Sequence, residues 1–217
     1  MIWRPSPAPI GGKLLVVGGQ SRKVGKTALC VDLLRLMSDQ AWTAVKITPY
    51  TESGCPVRGA GCGCPPWEHT FSIREEMSRS SRKDTSRYLQ AGARRAFWVQ
   101  TKAGRLTDSL EALKGNLISD QSVLIESDAI AKYWRPDLFL LVVDPRKADF
   151  KLSARVRLAS TGFLLLRAPL AGAVVDSTIL DRFTVLPQFL QPFGYPLPSF
   201  MQKVVRQHFQ VPIHLST

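Results

Sequence analysis

The residues best suited to chemistry lie between positions 14 and 34, in the stretch LLVVGGQSRKVGKTALCVDLL. A bound triphosphate asks three things of a chain. Backbone N–H groups must converge on the phosphates, an approach that glycines permit. A helix must begin there, so that its free N–H groups and the positive end of its dipole face the anion. A lysine must reach the outer phosphates, and a Ser or Thr hydroxyl must hold Mg2+. Gly19, Lys23, Val24, Gly25, Lys26, Thr27 and Ala28 supply this set, between an apolar run and a helical pattern. The spacing departs from the usual loop. The common pattern has a glycine where Gln20 stands, so Gly19 opens a loop one residue longer than usual. Arg22 and Lys23 add positive charge over the phosphates, with solvent exposure the default for both.

A triphosphate with Mg2+ also needs a carboxylate near the metal, usually at a strand end or on a mobile loop. Asp84 and Glu126 are the two candidates, and Asp144, which closes an apolar run before Pro145, is a third. Glu126 ends the run SVLIES and would face the crevice at the carboxyl end of a sheet. Its plain alternative is an ordinary charged residue at a strand terminus. Asp84 precedes a helical stretch, where its plain alternative is an N-cap. Lys46, in VKITPY, leaves a strand toward the same crevice. Lys26, Asp84 and Glu126 form the candidate catalytic set, and Thr27, Asp84 and Glu126 the candidate Mg2+ ligands.

A second constellation is Cys55, Cys62 and Cys64, with His69 five positions further on. Thiolates and imidazole suit Zn2+ or an iron–sulfur cluster, and four ligands complete a tetrahedral site. The spacing is not the paired spacing of zinc ribbons. Unligated cysteines, a redox pair Cys62/Cys64 and an intersubunit site stand as alternatives. Cys30, inside an apolar helical run, reads as a small core residue.

Elements that position these groups follow from periodicity. KLLVVGG (13–19), TAVKITPY (43–50), AFWVQT (96–101), SVLIES (122–127), LFLLVVDP (138–145) and FLLLRAP (163–169) read as strands. KTALCVDLLRLM (26–37), SSRKDTSRYLQAGARRA and LTDSLEALKGNL (106–117) carry helical patterns between them. Strands alternating with helices predict an α/β fold, with a mostly parallel sheet flanked by helices in three layers. Residues 51–70 are rich in Gly, Pro and Cys and predict a loop. The expected organisation is one domain over 1–184 with the Cys-rich insertion at 51–70. Residues 185–217 form a Pro-rich connector and a C-terminal helix packed on the same domain.

The chain has 217 residues, enough for one sizeable α/β domain, and 45% apolar content supports a packed core. Its net charge of +12 suits an anionic partner. The excess gathers between Arg74 and Arg105, where nine Lys or Arg residues face three acids. Among the aromatics of that window only Tyr88 is placed as a stacking platform, which argues against a nucleic-acid surface. No apolar run reaches the roughly 18–20 residues of a membrane span. The N-terminal residues lack an apolar core of signal-peptide length, so a cytoplasmic location is expected.

Two resemblances sharpen this. GQSRKVGKT resembles the phosphate loop of the dethiobiotin synthetase family, which also has a glycine, five residues ending in Val, then Gly-Lys-Thr. KDTSRYLQAGARR (83–95), VLIES and RPDLFLLVVD resemble segments of the MobB family, adaptor proteins of molybdopterin-guanine dinucleotide biosynthesis. The likeness spans roughly residues 12 to 145; the Cys-rich insertion and the Pro-rich tail depart from it. It implies a P-loop NTPase fold and slow, Mg2+-dependent hydrolysis of GTP or ATP. It also implies an accessory role in molybdenum-cofactor or related metal-cofactor assembly, with a biosynthetic protein partner or a homodimer. The dethiobiotin synthetase likeness implies instead an ATP-dependent ligase or kinase acting on a small metabolite. There a Lys-Pro pair near Lys46 contacts substrate; here Ile47 and Thr48 intervene before Pro49. Base specificity is not legible: after FLLL the chain runs RAPLAG, without the Asn/Thr-Lys-x-Asp signature, and Arg167 is a poor base contact.

Overall fold

The computed structural model describes residues 5–8, 10–50, 69–117, 122–144, 147, 163–166, 188–190 and 196–209. The elements in chain order begin with β1 (Ser6–Pro7), β2 (Leu14–Gly19), α1 (Lys26–Leu36), β3 (Thr43–Tyr50), β4 (Phe71–Glu75) and α2 (Asp84–Gln90). They continue with β5 (Arg95–Lys102), α3 (Thr107–Asn116), β6 (Val123–Glu126), a 3-10 turn (Ile130–Lys132), β7 (Trp134–Arg135) and β8 (Leu138–Val143). β9 (Phe163–Leu166), β10 (Gln188–Leu190) and α4 (Ser199–Phe209) complete the described set.

Eight strands form one sheet in the order β10-β9-β8-β2-β6-β3-β5-β4. All neighbours are parallel except β4, which runs antiparallel to β5 at the edge. β1 and β7 make a separate two-stranded parallel pair. The central strands are buried on both faces, which is why they read as unbroken apolar runs rather than alternating ones.

Alternation along each strand sorts the core into two layers. Leu15, Val17, Ala44, Leu124 and Leu140 share a cluster with Leu29, Cys30 and Leu33 of α1, Tyr88 of α2 and Met201, Val205 and Phe209 of α4. Leu14, Val16, Val45, Ile125 and Phe139 pack on the other face with Leu113 of α3 and with Ile130 and Trp134. Each fully buried Val, Leu or Phe contributes roughly 1.5–3 kcal/mol. The consequence for function is one of parity. Glu126 lies two residues past Leu124 and Lys46 two past Ala44, so both side chains leave the sheet on the α1 face.

The expected fold class is what the chain adopts. Four strands were not foreseen: the short pair β1 and β7, and two strands of the large sheet. β4 follows the Cys-rich insertion, and β10 lies inside the stretch read as a Pro-rich connector, which therefore adds a strand to the sheet beside β9. The helical pattern of SSRKDTSRYLQAGARRA shrinks to seven residues, because Gly92 takes φ 107 just after the helix and β5 begins at Arg95.

Candidate nucleotide-binding site

The loop between β2 and α1 is shaped by close packing beneath it. A Cβ on Gly19 would meet Val24 Cγ2 at 2.7 Å and Lys26 Cγ at 2.9 Å, so only glycine fits where the strand turns under the loop. Gly25 takes φ 98 directly before α1, a left-handed conformation that glycine adopts without strain. Lys23 is the one described non-glycine residue with positive φ, at 58. Nothing from a side chain caps the N-terminus of α1 and no acid sits in its first turn, so the positive end of the helix dipole faces the space above it.

Gln20, the residue in place of the usual glycine, is fully buried. Its backbone N–H donates to the Val142 carbonyl at 2.9 Å. Its side chain accepts from the Asp144 backbone N–H at 3.0 Å and donates to the Lys147 carbonyl at 2.5 Å. Lys147 Nζ reaches back to the Arg22 carbonyl at 3.1 Å. The longer loop is thereby pinned to the segment after β8. Asp128 fastens its other side, accepting from the Gly19 N–H at 2.7 Å.

Above the loop lies a cavity of about 920 Å3 at the carboxyl ends of β3, β5 and β6. Arg22, Lys23, Lys26, Lys46, Arg87 and Lys132 line it, against the carboxylates Asp84, Glu126 and Asp128. Six cationic side chains over three acids make it a focus for an anion. Gly25, Thr27 and Ala28 also line it, whereas Val24 is fully buried beneath. Lys26 Nζ donates to the Ser21 carbonyl at 2.9 Å, folded back on its own loop.

At the floor of the cavity three oxygen-bearing groups meet. Thr27 Oγ1 donates to Glu126 Oε2 at 2.8 Å. Lys46 Nζ donates to Thr27 Oγ1 at 3.1 Å, to Glu126 Oε1 at 3.1 Å and to Asp84 Oδ2 at 2.5 Å. Arg87 holds the other oxygen of Asp84 at 3.4 Å. The sheet explains the convergence: Lys46 and Glu126 are direct partners in the β3–β6 register, and α2 delivers Asp84 from the side. The Lys46 side chain is 19% exposed and that of Glu126 is 6% exposed. Burial alone would lower the Lys46 pKa, but Glu126 and Asp84 outweigh it and leave it raised. Tyr88 donates its hydroxyl to Glu126 from the core side. Burial, with Cys30 and Glu126 nearby, lifts the Tyr88 pKa well above its ordinary value, and burial likewise lifts that of the Cys30 thiol.

Lys26, Thr27, Asp84, Glu126 and Lys46 are thus brought together. Asp144 is not: it is buried behind the loop, with its N–H on Gln20. Asp84 is the first residue of α2 rather than its N-cap, which is Lys83. Tyr88 is a correction. It was read as placed like a stacking platform and is instead wholly buried against Glu126. Cys55, Cys62, Cys64 and Arg167 lie outside the described residues; His69 lies within them, its carbonyl accepting from Tyr50 Oη at 2.5 Å. Among the described residues no group of three His, Cys, Asp or Glu side chains is arranged to hold a metal. Asp128 went unnoticed in the sequence and Gln20 was read only as a missing glycine, since their partners lie more than 100 residues away.

A central parallel strand, a glycine-bounded loop, a Lys-Thr pair opening the next helix and a carboxylate on the neighbouring strand define the class: this is the fold of the P-loop NTPases. No protein-family model matches the chain and no curated protein matches it. Among solved structures, HypB from Helicobacter pylori in complex with nickel aligns with 13% identity and a TM-score of 0.45, over 93% of this chain and 91% of that one. A Zn(II)-bound triple mutant of the GTPase YjiA aligns with 11% identity and a TM-score of 0.42, over 93% of this chain and 64% of that one. No helix of the described residues is long and apolar enough to cross a membrane.

Proposed function

We propose that the chain binds a nucleoside triphosphate, GTP or ATP, with Mg2+ and hydrolyses it slowly, as an accessory protein of metal-cofactor assembly resembling the MobB family. The observation that carries this is the meeting of Lys26, Thr27, Asp84 and Glu126 at the uncapped N-terminus of α1. Gly25, Lys26, Thr27 and Ala28 hold the phosphates through backbone N–H groups and the Lys26 ammonium. A triphosphate gives Lys26 a stronger acceptor than the Ser21 carbonyl, so its ammonium unfolds from the loop toward the outer phosphate.

The donor set suits a hard divalent cation. A Thr hydroxyl and two carboxylates are the oxygen ligands Mg2+ prefers, and they converge on one point. Thr27, Asp84 and Glu126 would hold it, and when bound it supplies charge neutralisation on the outer phosphates. Tyr88 keeps the Glu126 carboxylate oriented by its hydrogen bond. Arg87 and Lys132 also line the cavity, where they add positive charge for the anion.

The segment KDTSRYLQAGARR favours the adaptor over a ligase. It holds the site's Asp84 and the helix that orients Glu126. The chain is proposed to work in the cytoplasm with a biosynthetic partner or as a homodimer. In this reading residues 1–184 are its NTPase domain and 185–217 a segment packed on it, which the burial of Met201, Val205 and Phe209 in the core supports. Zn2+ or iron–sulfur binding by Cys55, Cys62, Cys64 and His69 belongs to the same reading. Phosphate release from GTP and ATP tests it. Slow Mg2+-dependent turnover, abolished in Lys26→Ala and indifferent to small carboxylates and amines, is expected. Turnover switched on by a small-molecule acceptor would transfer the assignment to the ligase or kinase alternative.

A further inference from the structure

The Lys46 ammonium stands where a divalent cation would be held. Its three contacts are the Thr27 hydroxyl, Asp84 and Glu126, and its distances of 2.5–3.1 Å fill the cage that these oxygens make. The charges close without any further ion: Lys46 and Arg87 balance Asp84 and Glu126. Adding a doubly charged cation beside Lys46 would leave a half-buried site with two surplus positive charges, close to Lys26 as well. Mg2+ draws its ligands to about 2.0–2.1 Å, which the ammonium's presence prevents.

We propose that Lys46 is the resident cation of this site, filling the cage in the ligand-free protein and leaving it for the crevice when a divalent cation enters with a triphosphate. This rests on the nucleotide reading above. Lys46 is tethered to β3 and held by three oxygens, so a free cation competes poorly with it. A triphosphate changes the balance: it brings its own negative charge above the cage, and that charge is a new partner for the expelled ammonium. The cavity gives it room: Lys46 lines it together with Thr48, Pro49 and Thr101. Metal binding is thereby made conditional on nucleotide, and Lys46 becomes a positioning residue for the outer phosphate or for an acceptor beside it.

The test is a titration with Mn2+ alone, followed by electron paramagnetic resonance, on the full chain. Wild type is expected to bind weakly without nucleotide. Lys46→Gln, which keeps an N–H donor in the cage, and Lys46→Met are expected to bind Mn2+ about tenfold tighter or more, because no competitor occupies the site. Mg2+ is expected to raise the Tm of both variants more than that of wild type. Lys46→Gln/Glu126→Gln is expected to lose the gain. Equal Mn2+ affinity in wild type and variants, or variants that Mg2+ does not stabilise beyond wild type, would overturn the proposal. So would failure of both variants to fold at saturating Mg2+, since a cage the ion can take must accept it there. A parallel titration with a fluorescent triphosphate, once with Mg2+ and once in EDTA, separates the two layers. If it binds nowhere while Lys46→Gln still tightens Mn2+, the cation exchange stands and the nucleotide reading falls.

Discussion

At the scale of single residues, the loop and the carboxylate cage are built by contacts of very different reach. Gln20 replaces a glycine yet leaves the loop ordered, because its amide satisfies the buried Asp144 N–H and the Lys147 carbonyl. Gln20→Ala removes the acceptor that Gln20 gives this N–H, a loss of about 1–3 kcal/mol. Urea unfolding of the variant is expected to show it, and a change under about 0.5 kcal/mol would mean that the pin is idle. The Lys-Thr pair and its glycines were legible in the sequence, since the chemistry of a phosphate loop is local and its spacing survives one inserted residue. Glu126 and Asp84 were legible as candidates only. What unites them is Lys46, and its three contacts span 19, 38 and 80 residues, which no local pattern records. Tyr88 was misjudged for the same reason: its hydroxyl finds Glu126 in the core, so a ring read as a stacking platform is buried.

At the scale of elements, the strands that carry the site are those whose apolar runs announce them. β2, β6 and β8 are buried along their whole length and leave continuous apolar segments, whereas β3, TAVKITPY, is buried over Thr43–Val45 and at Ile47 only. β4 leaves none. FSIRE carries two charged residues, lies at the sheet edge and is held by a bidentate pair between Glu75 and the Arg95 guanidinium, at 2.7 and 2.8 Å. β10 was hidden by the prolines around QFL. The edge pair makes a pH prediction. Its hydrogen bonds with Arg95 hold the Glu75 pKa below its ordinary value of 4.5. A depressed folded-state pKa means stability present above 4.5 and lost as pH falls through the folded value. Both groups are partly exposed, so the difference between wild type and Glu75→Gln is expected to be at most about 1 kcal/mol at pH 7. It should shrink toward zero by pH 3, as read from urea midpoints across pH. A difference that grows in acid would contradict the assignment.

At the scale of the whole molecule, the tail closes the structure over the α1 face. Phe209 of α4 packs edge-on against Trp42, with ring centroids 5.2 Å apart, and both are buried in the same core as Cys30 and Tyr88. That core lies directly behind Glu126, so α4 supports the site from the core side. Phe209→Ala is expected to lower stability by about 3–5 kcal/mol and to leave a single cooperative unfolding transition. Two separated transitions in wild type would show that the tail is an independent unit.

The central claim is that Lys26 and Thr27 hold a triphosphate at the start of α1. Its most direct test is equilibrium titration of wild type and Lys26→Ala with GTP and ATP, with and without Mg2+. The account predicts saturable binding by wild type, strengthened by Mg2+, and a loss of about 10- to 100-fold in Lys26→Ala, the worth of one hydrogen bond to a charged group. Equal affinity in the two proteins would contradict it.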